Sequence, residues 1–402
     1  MRLVPLRIVA SIQLGKMLSP KAKTGTKSFP YLRNQNVQWG RFDLGDLAIM
    51  DFDARERVKF ELQDGDLLVC EGGEPGRCAV WRGEVKNCYY QKAIHRVRPT
   101  RGTADSDFLA QWIRFQALAG TFDNQNAKTT IAHLPLVRLE QMLVPDLDFQ
   151  LQRRIAARLK AQLAEVETAR QAAHMQSDET DALSASIYRE AFRQVVPVTV
   201  PPTFEDPPPG WHWHKLTDIA RLESGHTPSR SRPDWWGGEV SWVSLTEIRA
   251  LDGQWIEGTQ LRTNAAGIAN SAARILPRCT VCYSRTASVG FVIIMAQPMA
   301  TSQDFANWVC GKALDPEFLM HALIRSRNEL RELATGATHK TIYMPTLESF
   351  HVCAPELETQ RRIVRALKQR LAHTKTLHAA LDTQQAELAA LPQRLLAQAF
   401  EN

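Results

Sequence analysis

Apolar and polar positions alternate with two different periods along this chain, and the stretch with the longer period occurs twice. Between residues 152 and 192, Leu159, Val166, Ala173, Thr180 and Ile187 fall every seventh residue, with Ile155, Gln162, Ala169, Gln176 and Leu183 as a companion series. Residues 360–400 hold Leu367, Thr374, Leu381, Leu388 and Leu395 at the matching places, beside Ile363, Arg370, Leu377, Gln384 and Leu391. Two apolar series per heptad form the seam of a coiled coil. The ends match as well: Gln152-Arg153-Arg154-Ile155 recurs as Gln360-Arg361-Arg362-Ile363, and Ala191-Phe192 as Ala399-Phe400. No net gap separates the copies, so the pattern predicts two helices of equal length, each a rod of roughly 60 Å. Two ordinary amphipathic core helices would show a similar stripe, and Gln162 and Arg370 in the seam fit that reading. Length and matching favour partners in one coiled coil, with Leu159, Val166, Ile187, Leu367, Leu381 and Leu388 in its seam.

Outside these stretches the period is two. Short β-rich runs at 6–14, 29–37, 66–70 and 92–97 are separated by Gly, Pro and Asp turns, and 107–119 has helical spacing. The second half repeats the plan with runs at 215–222, 240–245, 280–284 and 291–295 and a helix over 316–333. Leu6, Ala10 and Gly15 reappear as Leu216, Ala220 and Gly225; Tyr31 matches Trp242, Gly76 matches Gly290 and Phe108 matches Phe318. A repeat of this length is a duplicated domain rather than a solenoid. The pattern gives an α+β chain: a globular unit over 1–147, a long helix over 148–194, a stiff proline-rich linker over 195–210, a second unit over 211–355 and a second long helix over 356–402. Pro392 is expected to kink or restart the last turns.

Composition narrows the functional classes. No run of about 18 apolar residues exists to span a membrane, and seven scattered cysteines suit a reducing cytoplasm. The net charge is +6, and its distribution matters more than its size. Residues 1–42 hold eight Lys/Arg and no acid, and 258–303 hold Arg262, Arg274, Arg278 and Arg285, again with no acid. Two such blocks in corresponding halves favour a polyanionic partner.

Catalytic patterns fail one after another. Glu205-Asp206-Pro207-Pro208-Pro209-Gly210 lacks the aromatic that an adenine methyltransferase loop places after its two prolines, and no glycine-rich cofactor turn lies upstream. Cys279 and Cys282 have the spacing of half a zinc site, but Cys310 and His321 are the only nearby complements. Glu71-Gly72-Gly73-Glu74-Pro75-Gly76 carries acids that would repel phosphate. What remains are polar, basic loops in equivalent places of the two halves, rich in side chains that bond phosphates and base edges. They nominate Lys16, Lys21, Lys23, Lys27, Arg33, Asn34, Gln35 and Lys128 in the first half. In the second they nominate His226, Arg230, Arg232, Arg285, Thr338 and Lys340.

Several motifs are familiar. Pro209-Gly210-Trp211, Leu216-Thr217-Asp218-Ile219-Ala220, Gly225-His226-Thr227-Pro228, Tyr283-Ser284-Arg285-Thr286-Ala287-Ser288-Val289-Gly290 and Ser302-Gln303-Asp304-Phe305 resemble landmarks of the specificity subunits of Type I restriction–modification systems. So do Gly336–Ile342, Pro355–Val364 and the end of the second long helix. The first half departs from the pattern, with Gly15-Lys16-Met17-Leu18 and Tyr90-Gln91-Lys92-Ala93 in place of the Thr-Pro and Ser-Gln-Asp-Phe forms. The resemblance implies two target-recognition domains separated by an antiparallel two-helix coiled coil with pseudo-twofold symmetry. It implies a bipartite double-stranded DNA target and assembly with an adenine methyltransferase subunit and a restriction/translocase subunit. S-adenosylmethionine, ATP and Mg would belong to those partners, leaving this chain without cofactor, metal or catalytic residue. The rival readings are a fused methyltransferase, a coiled-coil protein–protein scaffold, and the recognition part of another DNA-modifying defence system.

Overall fold

The computed structural model describes residues 2–19, 25, 27–122, 133–336 and 340–401. It divides into two units, Met1–His174 with Asp382–Asn402, and Met175–Leu381. Each is built on the same scheme.

In the first unit, Leu3–Pro5 pairs antiparallel with Leu143–Pro145, and the chain then makes a helical turn, Leu6–Val9. The sheet that follows runs in the order Ala10–Leu14, Ile94–Pro99, Leu67–Cys70, Cys78–Val80, all antiparallel. Leu67 and Val69 enter one apolar core, with Val97, Phe108 and Trp112, while Leu68 and Cys70 enter another, with Phe52, Trp81 and Tyr89. That division follows from the two-residue period of a strand buried on both faces. A smaller sheet of Ala48–Asp51, Ser28–Leu32 and Tyr89–Tyr90 covers the second core, its last pair parallel. The helix Ser106–Leu118, capped by Asp105, packs on the first.

The second unit repeats this order. Trp211–Lys215 pairs with His351–Pro355, the turn Leu216–Ile219 follows, and the sheet runs Ala220–Ser224, Phe305–Cys310, Val281–Ser284, Val292–Met295, Gln254–Ile256. Val281 and Tyr283 face one core and Cys282 the other. Trp242 occupies the place of Tyr31, on a strand pairing in parallel with Ala300–Thr301. Gly15 and Gly225 are equivalent close approaches: a Cβ would lie 2.2 Å from the Gln91 carbonyl oxygen in one and 2.1 Å from Thr301 Oγ1 in the other.

The long helices are Phe149–Ala191 and Leu357–Phe400. Their shared Gln-Arg-Arg-Ile start has a structural cause. Gln152, 3% exposed, accepts the Asp105 amide and donates to the carbonyls of Thr103 and Leu147 at 2.8–3.1 Å. Gln360, 1% exposed, does the same with the Asp315 amide and the carbonyls of Ala313 and Pro355 at 2.9–3.0 Å. Each glutamine ties a strand end, a helix cap and the root of a long helix together. The repeated Ala-Phe ends are explained as well. Phe400 packs edge-on to Phe108 and Trp112 in the first unit, and Phe192 packs on Phe318 and Trp211 in the second.

Leu159, Val166, Ile187, Leu367, Leu381 and Leu388 are all buried. In the first unit Gln385 donates to the Ala173 carbonyl. In the second, Asp181 meets His378 and Glu190 meets Arg370, so those two stretches run in opposite directions. The companion series is displaced by one residue from the sequence reading: Ala156, Leu163 and Val364 are buried, whereas Leu183 and Leu377 are 47% and 49% exposed. A heptad seam steps alternately by three and four. The larger side chains at Ile155, Leu183, Leu377 and Leu391 pointed to the wrong phase.

Three further expectations are corrected. The 195–210 stretch, read as a stiff linker, is extended but is also built into the second unit: Val198–Thr199 pairs with His351 and Val352, Val195 and Val198 are buried, and Phe204 packs on Trp213. Pro392 lies inside an uninterrupted helix; losing one amide leaves the many other bonds of a 44-residue helix intact. The helix over 316–333 divides at Ser326, whose hydroxyl accepts the Val198 amide.

Candidate nucleic-acid interface

In the second unit three polar loops are stitched into one surface. Arg285 does most of the stitching. Its amide donates to the Asp304 carbonyl and its own carbonyl accepts from Ile342, while its guanidinium donates to the carbonyls of Gln303 (3.2 Å) and Ile342 (3.3 Å). Burial holds this guanidinium below its ordinary pKa. Arg285 is therefore a brace between loops, with much of its fork committed to backbone, and not the freely reaching side chain that the sequence suggests. Ala287 bonds the Lys340 carbonyl, and Thr227 bonds Gln303. His226, Arg230 and Lys340 stand exposed around this assembly. Arg232 forms a bidentate pair with Asp234 and lies over Trp235.

The first unit disposes of its cations differently. Lys16, with a side chain only 12% exposed, donates to Glu56 and to the Asp51 carbonyl at 2.6 Å and lies over Phe52. Arg33 is paired with Asp46, and Asn34 donates to the Gly72 carbonyl while its own carbonyl accepts from Arg77. The acid-free block 1–42 is thus not acid-free in space, because Asp46, Asp51 and Glu56 fold back onto it. Lys16 is corrected from a candidate DNA contact to an internal ion pair. Gln35 and Lys27 remain exposed. Lys21, Lys23, Lys128 and Thr338 lie outside the described residues.

Side chains that were not among the nominated residues complete the surface in the second unit: Trp236, Gln260 and Arg262 line a cleft with Arg230, and the buried Trp242 lies beneath that arginine. The signal was available in Arg230-Ser231-Arg232-Pro233-Asp234-Trp235-Trp236, where basic and aromatic residues interleave.

Among the described residues no group of three His, Cys, Asp or Glu is placed to hold a metal. Of the zinc candidates, Cys282 is fully buried in a strand and His321 shares a hydrogen bond of 3.0 Å with Tyr188. Nor is any helix among the described residues long and apolar enough to cross a membrane.

Residues 208–385 match the family described as Type I restriction modification DNA specificity domain. The specificity subunit of the Type I restriction enzyme MjaIX of Methanocaldococcus jannaschii is 25% identical over 162 residues, 40% of this chain and 38% of that protein. That of HindI of Haemophilus influenzae is 23% identical over 174 residues, 42% and 38% of the two chains. The matched stretch thus spans under two fifths of either relative. The fold likeness extends further. A chain from a study of the complex assembly and conformational transition of the type I R-M system superposes with a TM-score of 0.77 at 19% identity, covering 99% of this chain and 97% of that one. The HsdS subunit from Thermoanaerobacter tengcongensis gives 0.57 at 20% identity, covering 99% and 96%. The family likeness lies in residues 208–385, and the likeness of the whole chain to solved structures is one of fold.

Proposed function

We propose that this chain reads DNA sequence for a Type I restriction–modification complex, one half-site per recognition unit, and contributes no catalytic group of its own. The observation that carries this reading is the duplication. Two units of one fold each present braced polar loops, and each roots a long helix through an identical buried glutamine. A two-part reader needs its recognition units at a fixed separation, and two long helices of 43 and 44 residues support that reading. The helices then act as an antiparallel spacer, giving a bipartite target with unread bases between its halves. Adenine methylation and restriction belong to partner subunits, which bring S-adenosylmethionine, ATP and Mg.

Selection of bound duplexes from a random library by the full chain tests this. The expected result is two short constant motifs at fixed separation, with affinity falling steeply as salt rises. Binding without sequence selection or salt dependence would favour the scaffold reading instead.

A further inference from the structure

We infer that Arg230 is a specificity-determining residue that reads a guanine, held ready for it by two tryptophans. This rests on the DNA-reading function proposed above and names one contact within it.

The arginines of the second unit's candidate surface differ in how far they are already committed. Arg232 has two guanidinium nitrogens on Asp234, at 3.0 and 2.8 Å. Arg285 is committed to two backbone carbonyls. Arg262 donates to the Glu239 carbonyl at 3.0 Å and Arg249 to Ser288 at 2.6 Å. Arg230 has no such hydrogen bond or ion pair among the described residues. It lies instead over the rings of Trp236 and Trp242, 5.6 and 5.7 Å from their centroids, with its side chain exposed.

The platform beneath it is built in. The two indoles meet at 89° with centroids 5.2 Å apart. Trp242 donates its ring N–H to the His226 carbonyl and Trp236 donates to the Ser229 carbonyl, so the loop carrying Arg230 is pinned on both rings. A bulge in the strand Trp236–Val243 turns Trp236 toward that loop, with Gly237 at φ +79°. Arg230, Trp236, Gly237, Gln260, Leu261 and Arg262 line a cleft of about 370 Å³.

A phosphate contact needs charge and little orientation. A base contact needs the fork aimed, because guanine offers its O6 and N7 acceptors side by side in the major groove. Holding a planar guanidinium against aromatic faces lowers the ordering cost of such a bidentate contact. A lysine in its place would keep the charge and lose the fork.

The test selects duplexes from a random library with the full chain and with Arg230→Ala, Arg230→Lys and Trp236→Leu. Arg230 is exposed, so its variants are not expected to threaten folding. Arg230→Ala and Arg230→Lys should each lose about 5- to 150-fold preference for guanine at one position of one half-site. The other positions should stay as they are, and Arg230→Lys should keep the salt dependence of the wild type. Trp236→Leu should weaken the same guanine preference by a smaller factor. Retention of that preference in Arg230→Ala would show that another group reads the guanine, and uniform weakening across all sequences in Arg230→Ala would make Arg230 a phosphate contact; either overturns the inference. A wild-type chain that selects no sequence defeats the reading beneath it, a result distinct from either.

Discussion

His321 shows what burial does to a single side chain in this protein. It is 5% exposed, shares a hydrogen bond with Tyr188, and has its pKa pushed down by burial from 6.5 to about 4. The folded unit therefore favours the neutral ring more than the unfolded chain does. The resulting stability is complete above pH 6.5 and drains away as pH falls toward 4, by up to about 3 kcal/mol. The urea midpoint should fall over that window, and His321→Phe, which cannot take up the proton, should flatten the fall; parallel profiles would assign it to other groups. Nothing in the spacing of Cys279, Cys282 and His321 revealed this role, because it depends on a tyrosine from the first long helix. The same limit applies to Lys16 and Arg33. A basic residue is visible in a sequence, but the carboxylate that neutralises it is brought in by the fold.

At the scale of elements, the two glutamine clamps are the most consequential detail. Gln360→Ala would leave the Asp315 amide and the carbonyls of Ala313 and Pro355 without partners in a buried site, at a cost of about 2–4 kcal/mol. Gln360→Glu should fare no better in denaturant unfolding, since a carboxylate accepts the amide but has no N–H for the carbonyls. Recovery of wild-type stability by Glu would argue against the clamp. Both glutamines were legible as a repeated motif, and the helices, the duplicated plan and the buried seam series were legible from period alone. The companion series was not, because steps of three and four from Leu159 reach Ala156 and Ile155, and the larger side chain misled. The strand Val198–Thr199 was hidden by surrounding prolines, whose stiffness implies extension but not what the extended chain pairs with.

At the scale of the whole molecule, the function proposed above is that of two readers set apart by long helices. Inserting one heptad into each long helix at corresponding positions preserves the heptad phase of each and adds about 10 Å of rise. That is at most roughly three base pairs along a duplex. Selection of bound duplexes by the lengthened chain, set against the wild type, is the most direct test. The account predicts the same two half-sites with a longer spacer between them. Altered half-sites with an unchanged spacer would contradict it.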